Sequence, residues 1–253
     1  DLTPVYTLDE IRAGLDACEF RPYYQPKVDI ATGKVVGAEA LVRWMHPRDG
    51  VVSPIKFIPQ MEEADLIDDL TWTILADGAT HCRRLREYGF DMTVAVNLSL
   101  RSLTQTGIAE RVVDILCSAD LDPCHIVLEV TETAAISNVG HVLENLARLR
   151  MKGFGLAIDD YGTGYSSMQQ LSRIPFTELK IDRAFVADAS RQERLRVMVS
   201  ASLDMTRKLG LKSVAEGVEN RTDWELLARM KCDVAQGYFI ARPMSYEALC
   251  DWI

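Results

Sequence analysis

Short apolar runs alternate with amphipathic segments along most of the chain, and this alternation predicts its architecture. Six apolar runs predict strands at residues 92–97, 126–130, 155–159, 178–181, 211–215 and 234–239. Near the N-terminus, residues 23–30 and 35–44 have strand-like composition and flank a short turn, so they predict an antiparallel hairpin. These eight strands, separated by helical segments, favour a mainly parallel sheet closed into an α/β barrel.

Amphipathic periodicity predicts the helices. Thr7 and Glu10 fit a capping box at the start of a helix over residues 8–19. Apolar residues recur at helical spacing over residues 60–88, 139–152 and 191–209. The chain of 253 residues has the length of one barrel and contains no extended linker. We therefore expect an N-terminal helix and linker over residues 1–19 and a single barrel domain over residues 20–253.

The composition is that of an ordinary globular protein, with 48% apolar and 26% charged residues. The sequence has no run of 18 or more uncharged apolar residues and no signal peptide, so we expect neither membrane contact nor export. Its six cysteines are scattered without a Cys-x-x-Cys pair, a pattern typical of reduced thiols. These features together predict a cytoplasmic protein.

Net charge and histidine usage limit the ligands. A formal charge of −9 argues against binding duplex nucleic acid through a broad basic face. A small phosphate ligand fits this charge if metal ions supply positive charge locally. The four histidines have no paired spacing, so zinc is not expected and any metal should be held by oxygen.

The most informative stretch is residues 155–167, where a short apolar run ends in Asp159 and Asp160 and glycines follow. Successive side chains of a strand point to opposite faces, so both carboxylates can face one pocket only if the strand is already turning. Gly162 and Gly164 allow such a turn. Taken alone, the segment fits a turn and helix N-cap better than a functional site.

Polar residues at or near the carboxyl ends of the predicted strands favour the functional interpretation. Parallel barrel strands place these ends on one rim. Clustered acids repel one another unless a cation lies among them, and carboxylate and amide oxygens suit Mg²⁺ or Mn²⁺. Two ions about 4 Å apart, bridged by a carboxylate such as Asp159, would support hydrolytic phosphoryl chemistry. The rim residues are Glu39, Asn97, Glu129, Asp159, Asp160, Lys180, Asp182, Glu216 and Gln236.

Seven motifs, in order over residues 20 to 245, resemble those of the EAL-domain cyclic di-GMP-specific phosphodiesterases. The motifs are Glu39-Ala40-Leu41-x-Arg43, Asn97-Leu98-Ser99, Glu129-Val130-Thr131-Glu132, Asp159-Asp160-Tyr161-Gly162-Thr163-Gly164-Tyr165-Ser166-Ser167, Leu179-Lys180-Ile181-Asp182, Ala215-Glu216-Gly217-Val218-Glu219, and Gln236-Gly237-Tyr238-Phe239 with Arg242-Pro243. The tripeptide Glu39-Ala40-Leu41 alone would be weak evidence for the family, but seven motifs in the family's order are strong evidence.

This resemblance implies a TIM-like (β/α)8 barrel with one antiparallel strand near the N-terminus. It also implies hydrolysis of cyclic di-GMP to linear 5'-pGpG with two Mg²⁺ or Mn²⁺ ions, a homodimer, and an upstream sensor or receiver domain in the full-length protein. The implied metal ligands are Glu39, Asn97, Glu129, Asp159, Asp160 and Glu216, and the implied catalytic residues are Lys180, Glu216 and Glu39. The implied substrate contacts are Gln25, Leu41, Arg43, Asp182, Glu219, Gln236 and Tyr238.

Two further residues concern the glycine-rich loop. Glu132 is implied to brace this loop so that Asp160 stays within reach of a metal. Tyr161 stands where the family usually has Phe, and its added hydroxyl needs a hydrogen-bond partner. We expect this difference to alter packing without removing a ligand.

Two other functions use similar residues. A catalytically silent cyclic di-GMP receptor would keep the fold, but such relatives usually lack a metal ligand or the lysine, and this chain has both. A barrel lyase or enolase-type enzyme would also use rim carboxylates and a lysine, but the motif order argues against it.

Overall fold

The computed structural model describes residues 6–131, 140–161 and 174–253, and eight of its strands close into a barrel with helices outside. Around the barrel the strands run in the order β1, β9, β8, β7, β6, β5, β4, β2, and β1 pairs with β2 to close it. The strands are β1 (Phe20–Asp29), β2 (Val35–His46), β3 (Gly50–Val52), β4 (Thr93–Asn97), β5 (Ile126–Thr131), β6 (Gly155–Tyr161), β7 (Glu178–Ile181), β8 (Lys212–Ala215) and β9 (Val234–Ala235).

The direction of β1 confirms the antiparallel strand expected near the N-terminus. This strand is antiparallel to both of its neighbours, β2 and β9, whereas the other barrel neighbours are parallel. The hairpin forms because the turn after Asp29 is short, and a short turn can join two neighbouring strands only if they are antiparallel. The carboxyl ends of the parallel strands therefore lie on one rim, as expected.

Helices cover the outside of the barrel. Those in the described residues are α1 (Leu8–Asp16), α2 (Ile58–Glu63), α3 (Ile67–Glu87), α4 (Leu100–Thr104), α5 (Ile108–Ser118), α6 (Gly140–Met151), α7 (Arg183–Val186), α8 (Glu193–Leu209), α9 (Arg221–Arg229) and α10 (Tyr246–Trp252). The expected capping box is present at α1, where Thr7 and Glu10 bond reciprocally. None of the described helices is long and apolar enough to cross a bilayer. The domain boundary at residue 19 stays a prediction.

Three elements differ from the sequence-based prediction. The helix expected over residues 60–88 is split into α2 and α3, because Asp65 adopts a left-handed conformation with φ of 63°. The strand expected over residues 234–239 stops at Ala235, because the following backbone leaves the barrel and approaches Val218. The short strand β3 was not expected and pairs with the end of β2 outside the barrel.

Small side chains occupy the middle of the barrel interior. Ala95, Val127 and Ala157 form an inner apolar cluster that is separate from the main core between strands and helices. Gly37 on β2 pairs with Thr93, and Gly155 on β6 pairs with Val127. Because these alanines and glycines are small, the barrel interior has room for the long side chains of Lys27 and Lys180. The ammonium groups of both lysines contact Glu129.

Candidate active site

Three carboxylates from different strands meet inside the barrel near the rim. Glu39 on β2, Glu129 on β5 and Asp159 on β6 each place one carboxylate oxygen within 4.8 Å of the others. Glu39 is 5% exposed and Glu129 is fully buried, while the Asp159 side chain is 13% exposed. We call these three residues the acidic triad.

Lys180 on β7 lies among four carboxylates. Its Nζ atom is 2.6 Å from Glu129, 3.0 Å from Asp159 and 3.4 Å from Glu39. The same atom is 2.8 Å from Glu216, which follows β8 directly. The lysine is 1% exposed, so its positive charge offsets the repulsion among the acids without screening by water.

The acids of this site have pKa values shifted in different directions. Burial raises the pKa of Glu39, but Lys180, Lys27 and hydrogen bonds from Gln236 and Asn97 outweigh that effect and lower it to about 2. Burial and the neighbouring charge of Glu39 raise the pKa of Glu129 to about 7. Burial is also the main cause that raises the pKa of Glu216 to about 8, a value suited to proton transfer near neutral pH.

The charge of Lys180 is maintained by the same groups. Burial alone would lower the pKa of its ammonium, but Glu129, Glu216, Glu39 and Asp159 together raise it well above the ordinary value. Lys180 is therefore protonated in this arrangement and acts as a hydrogen-bond donor.

Amide side chains orient Glu39 from both sides. Asn97 at the end of β4 donates to Glu39 Oε1 at 3.0 Å, and Gln236 after β9 donates to Glu39 Oε2 at 2.7 Å. Gln236 also donates to Gln25 Oε1 at 3.0 Å, and Gln25 in turn donates to the carbonyl of Ala241. The Gln236 carbonyl oxygen is buried and has no partner, so it can accept a hydrogen bond from a ligand.

Strand β6 contains a bulge at the two adjacent aspartates, Asp159 and Asp160. Ile158 pairs with Leu179 and Tyr161 with Ile181, so β6 has one more residue here than β7. Such a bulge bends a strand next to a site, and it lies where the sequence predicts that the strand is turning. The side chain of Asp160 lies outside the described set. The Tyr161 hydroxyl donates to Met205 Sδ at 3.3 Å.

The loop after β8 carries Glu216 and Glu219. Gly217 between them adopts a φ of 63°, and a Cβ atom there would collide with the side chain of Arg183. The Arg183 guanidinium pairs with Glu219 at 2.6 Å. Gly237 lies so close to the Val218 backbone that a side chain would not fit. These close approaches fix the loop against its neighbours.

A cavity of about 260 Å³ opens above these groups. Most of the residues implied as substrate contacts line it, together with most of the implied catalytic and metal-binding residues. The lining residues from those predictions are Gln25, Glu39, Leu41, Asp159, Lys180, Glu216, Glu219, Gln236 and Tyr238. Tyr238 is half-exposed and stacks against the Arg242 guanidinium, which lies 4.4 Å from the ring centre.

Four predicted residues whose side chains are described do not line this cavity, namely Arg43, Asn97, Glu129 and Asp182. The half-buried Arg43 donates to the Val42 carbonyl at 2.7 Å, and burial lowers the pKa of its guanidinium. Asp182 accepts from the amide of Ala184 at 2.8 Å and so acts as the N-cap of α7. Glu132, the expected loop brace, lies outside the described residues.

Sequence reasoning missed Lys27 and Arg183. Lys27 is 4% exposed on β1, and its Nζ donates to Glu129 Oε1 at 2.6 Å. The signal was the period of two in Gln25-Pro26-Lys27, which places Lys27 on the same face of the strand as Gln25. Arg183 follows the implied substrate contact Asp182, but its role in holding Glu219 appears only in three dimensions.

The site fits a hard divalent cation. Its donors are carboxylate and amide oxygens, and the acidic triad is compact enough to share one ion. Within the described residues, four carboxylates and two lysines give the site a formal charge of −2, leaving aside Asp160. A cation would offset this excess of negative charge.

Comparisons with known proteins agree with this geometry. The EAL domain family model matches residues 8–243. The cyclic di-GMP phosphodiesterase RocR of Pseudomonas aeruginosa is 39% identical over 243 residues, which are 96% of this chain and 62% of RocR. The bifunctional diguanylate cyclase/cyclic di-GMP phosphodiesterase MucR of the same species is 38% identical, and the match covers 36% of its length.

Solved structures show the same fold. The c-di-GMP complex of the PaMucR phosphodiesterase superposes with a TM-score of 0.92 at 38% identity, and the match covers 96% of this chain and 98% of that one. An EAL domain protein from Listeria monocytogenes gives a TM-score of 0.85 at 26% identity, with 98% of both chains covered. The chain thus spans less than two thirds of the curated relatives named above, and it belongs to the EAL domain family.

Proposed function

We propose that this chain is a metal-dependent phosphodiesterase that hydrolyses cyclic di-GMP to linear 5'-pGpG. The observation that carries the proposal is the acidic triad held around Lys180, because its members Glu39 and Asp159 line a cavity together with Lys180 and Glu216. Membership of the EAL domain family and similarity to a phosphodiesterase structure with c-di-GMP support the substrate.

Charge supports the requirement for metal. A site with a formal charge of −2 repels a cyclic dinucleotide, which carries one negative charge on each of its two phosphates. With Asp160 counted as a fifth carboxylate the formal charge is −3, and two divalent ions would change it to +1, which attracts the phosphates. We infer that Glu39, Asn97, Glu129, Asp159, Asp160 and Glu216 supply the ligands, with Mg²⁺ or Mn²⁺ as the ions.

The residues of this chain have distinct roles in the proposed reaction. When bound, the metal ions would lower the pKa of water and offset charge on the phosphoryl oxygens. Lys180 donates a hydrogen bond to the attacking water and orients it toward phosphorus. Glu216, whose carboxylate lies 2.8 Å from the Lys180 ammonium, accepts the proton of that water. The water oxygen bonds to phosphorus as the bond from phosphorus to one 3' oxygen breaks. The leaving oxygen takes a proton from solvent, and the ring opens to a linear dinucleotide with a 5'-phosphate.

The cavity wall suits a guanine-containing ligand. Tyr238 offers a ring for base stacking, and Glu219 and Gln236 offer oxygen acceptors to the amino and imino hydrogens of guanine. Leu41 adds an apolar contact, and Gln25 holds Gln236. Arg43 and Asp182 each make one hydrogen bond to the backbone, and their contacts with substrate stay predictions.

The alternative is a receptor that binds cyclic di-GMP without cleaving it. The buried lysine and the acidic triad favour the enzyme, because a binding module has no need to hold four carboxylates around one ammonium. Binding with intact affinity but no turnover at saturating metal would favour the receptor.

The test is a chromatographic assay of purified protein with cyclic di-GMP and Mg²⁺ or Mn²⁺, with and without chelator. We expect pGpG with metal and unchanged substrate with chelator. Glu39→Gln should abolish turnover while the protein stays folded, and Glu193→Gln, an exposed control on α8, should behave as wild type. An unfolded Glu39→Gln protein would make Glu39 structural and contradict its assigned role.

Other expectations stay predictions. They are the homodimer, an attached sensor or receiver domain, the cytoplasmic location and the choice between Mg²⁺ and Mn²⁺. Sedimentation of the purified protein with and without cyclic di-GMP would test the first of them.

A further inference from the structure

Lys27 lies inside the barrel beneath the acidic triad. Its strand position is paired with Gly37, and its side chain is 5% exposed. The ammonium donates to Glu129 Oε1 at 2.6 Å. Among the described residues, Glu129 is the carboxylate within ion-pair distance of Lys27, so this lysine serves one acid whereas Lys180 serves four.

Glu129 is held on both of its oxygens by different lysines. Lys27 occupies Oε1 from within the barrel, and Lys180 occupies Oε2 at 2.6 Å. Two hydrogen bonds from separate strands fix the plane of the carboxylate. The two oxygens therefore have different surroundings. Oε1 is bonded to Lys27 below the site, whereas Oε2 is bonded to Lys180, which also contacts Glu39 and Asp159.

The surroundings offer Oε1 little else to bind. The strand partners of Glu129 are Ala157 and Asn97, and the Asn97 amide is engaged with Glu39 Oε1. The inner cluster beside Glu129 consists of Ala95, Val127 and Ala157. These three side chains carry no hydrogen-bond donor. The small cavity of about 10 Å³ at the amino end of the barrel is lined by Lys27 and Glu178 among others, and it is at the lower limit for a single water.

We propose that Lys27 is a positioning residue that holds Glu129 so that its second oxygen faces a cation in the acidic triad. The inference rests on the metal-dependent function proposed above. Lys180 is then free to turn toward water when a cation replaces it, because Lys27 alone keeps Glu129 in place. Lys27 itself touches neither the cation nor the substrate.

Loss of the Lys27 ammonium would leave Oε1 buried against apolar side chains. A carboxylate in that situation turns to share both oxygens with the remaining donor, Lys180, and so withdraws from the triad. Removal of a group that orients a metal ligand typically costs 10–100-fold in metal affinity. A purely electrostatic role would have the opposite sign, because removing a positive charge near a cation site tightens cation binding.

The experiment compares Lys27→Met with wild type and with Lys34→Met, an exposed lysine of the same hairpin. Free Mn²⁺ is followed by electron paramagnetic resonance during titration of the metal-free proteins, and melting curves report folding. We expect a 10–100-fold weaker Mn²⁺ affinity for Lys27→Met and no change for Lys34→Met. Unchanged or tighter Mn²⁺ binding by folded Lys27→Met would overturn the inference.

A second pair of variants decides the question even if Lys27→Met fails to fold. Glu129→Gln removes the carboxylate through which Lys27 acts, so adding Lys27→Met should cause no further loss of Mn²⁺ affinity. A further tenfold loss would show that Lys27 acts independently of Glu129 and would overturn the inference. If wild type itself binds no Mn²⁺, it is the proposed function that fails, and the two failures are thereby distinguished.

Discussion

Replacing Lys180 with Met should destabilise the metal-free protein and make it unusually responsive to metal. The buried ammonium lies within 3.4 Å of four carboxylates, and Met has a similar length without the charge. Breaking a buried ion pair from one side costs about 3–5 kcal/mol. For a chain of this size, each kcal/mol shifts the melting temperature by about 2–4 °C, so we expect a fall of about 6–20 °C without metal.

Metal should reverse most of this loss. A ligand at 100 times its dissociation constant stabilises a fold by about 2.7 kcal/mol, which for wild type is a rise of about 5–10 °C. In Lys180→Met a cation meets no competing ammonium in the triad, so its stabilising effect should exceed that in wild type. Turnover should nevertheless be lost, because no side chain remains to orient the attacking water.

Melting curves with chelator and with a series of Mn²⁺ concentrations provide the assay. Lys152→Met, an exposed lysine after α6, is the control and should match wild type under every condition. The reasoning is refuted if metal-free Lys180→Met melts within about 2 °C of wild type, or if Mn²⁺ stabilises both proteins equally.

Three further predictions concern groups around the site and the barrel wall. Glu132→Ala should lower the hydrolysis rate and raise the Mn²⁺ concentration needed for half-maximal activity, and wild-type kinetics would exclude the loop brace. Burial lowers the pKa of His81, which is stacked on Tyr246, so this ring is neutral in the folded state and its contribution to stability is lost as pH falls below the ordinary value of 6.5. The free energy of unfolding, measured with urea at pH 7 and pH 5.5, should therefore fall less for His81→Phe than for wild type, and equal falls would contradict this. Tyr161→Phe should keep turnover, because it retains the ring and removes no metal ligand, and a large loss of activity would give the hydroxyl bonded to Met205 a further role.

The site could be predicted from sequence where strand geometry alone decides position. Glu39, Glu129 and Asp159 follow the period of parallel strands, so an ordered series of apolar runs places them on one rim before any coordinates exist. Strand β7 begins and ends as the pattern predicts, at Glu178 and Ile181. The antiparallel direction of β1 followed from its short turn.

Other features depend on closure of the barrel or on local backbone conformation. Lys27 reads as a surface lysine until β1 pairs with β9 and encloses it. The break at Asp65 carries no glycine or proline, so helical periodicity runs across it. Asp182 belongs to a motif shared with the family, but its side chain caps α7 here, a role that spacing cannot separate from substrate contact.

The most direct measurement is anomalous diffraction from a crystal grown with Mn²⁺. We predict a manganese peak bounded by the carboxylates of Glu39, Glu129 and Asp159, with Lys180 displaced from them and Lys27 still bonded to Glu129. A crystal of active protein in which manganese binds elsewhere, or in which these three carboxylates lie too far apart to share an ion, would contradict it.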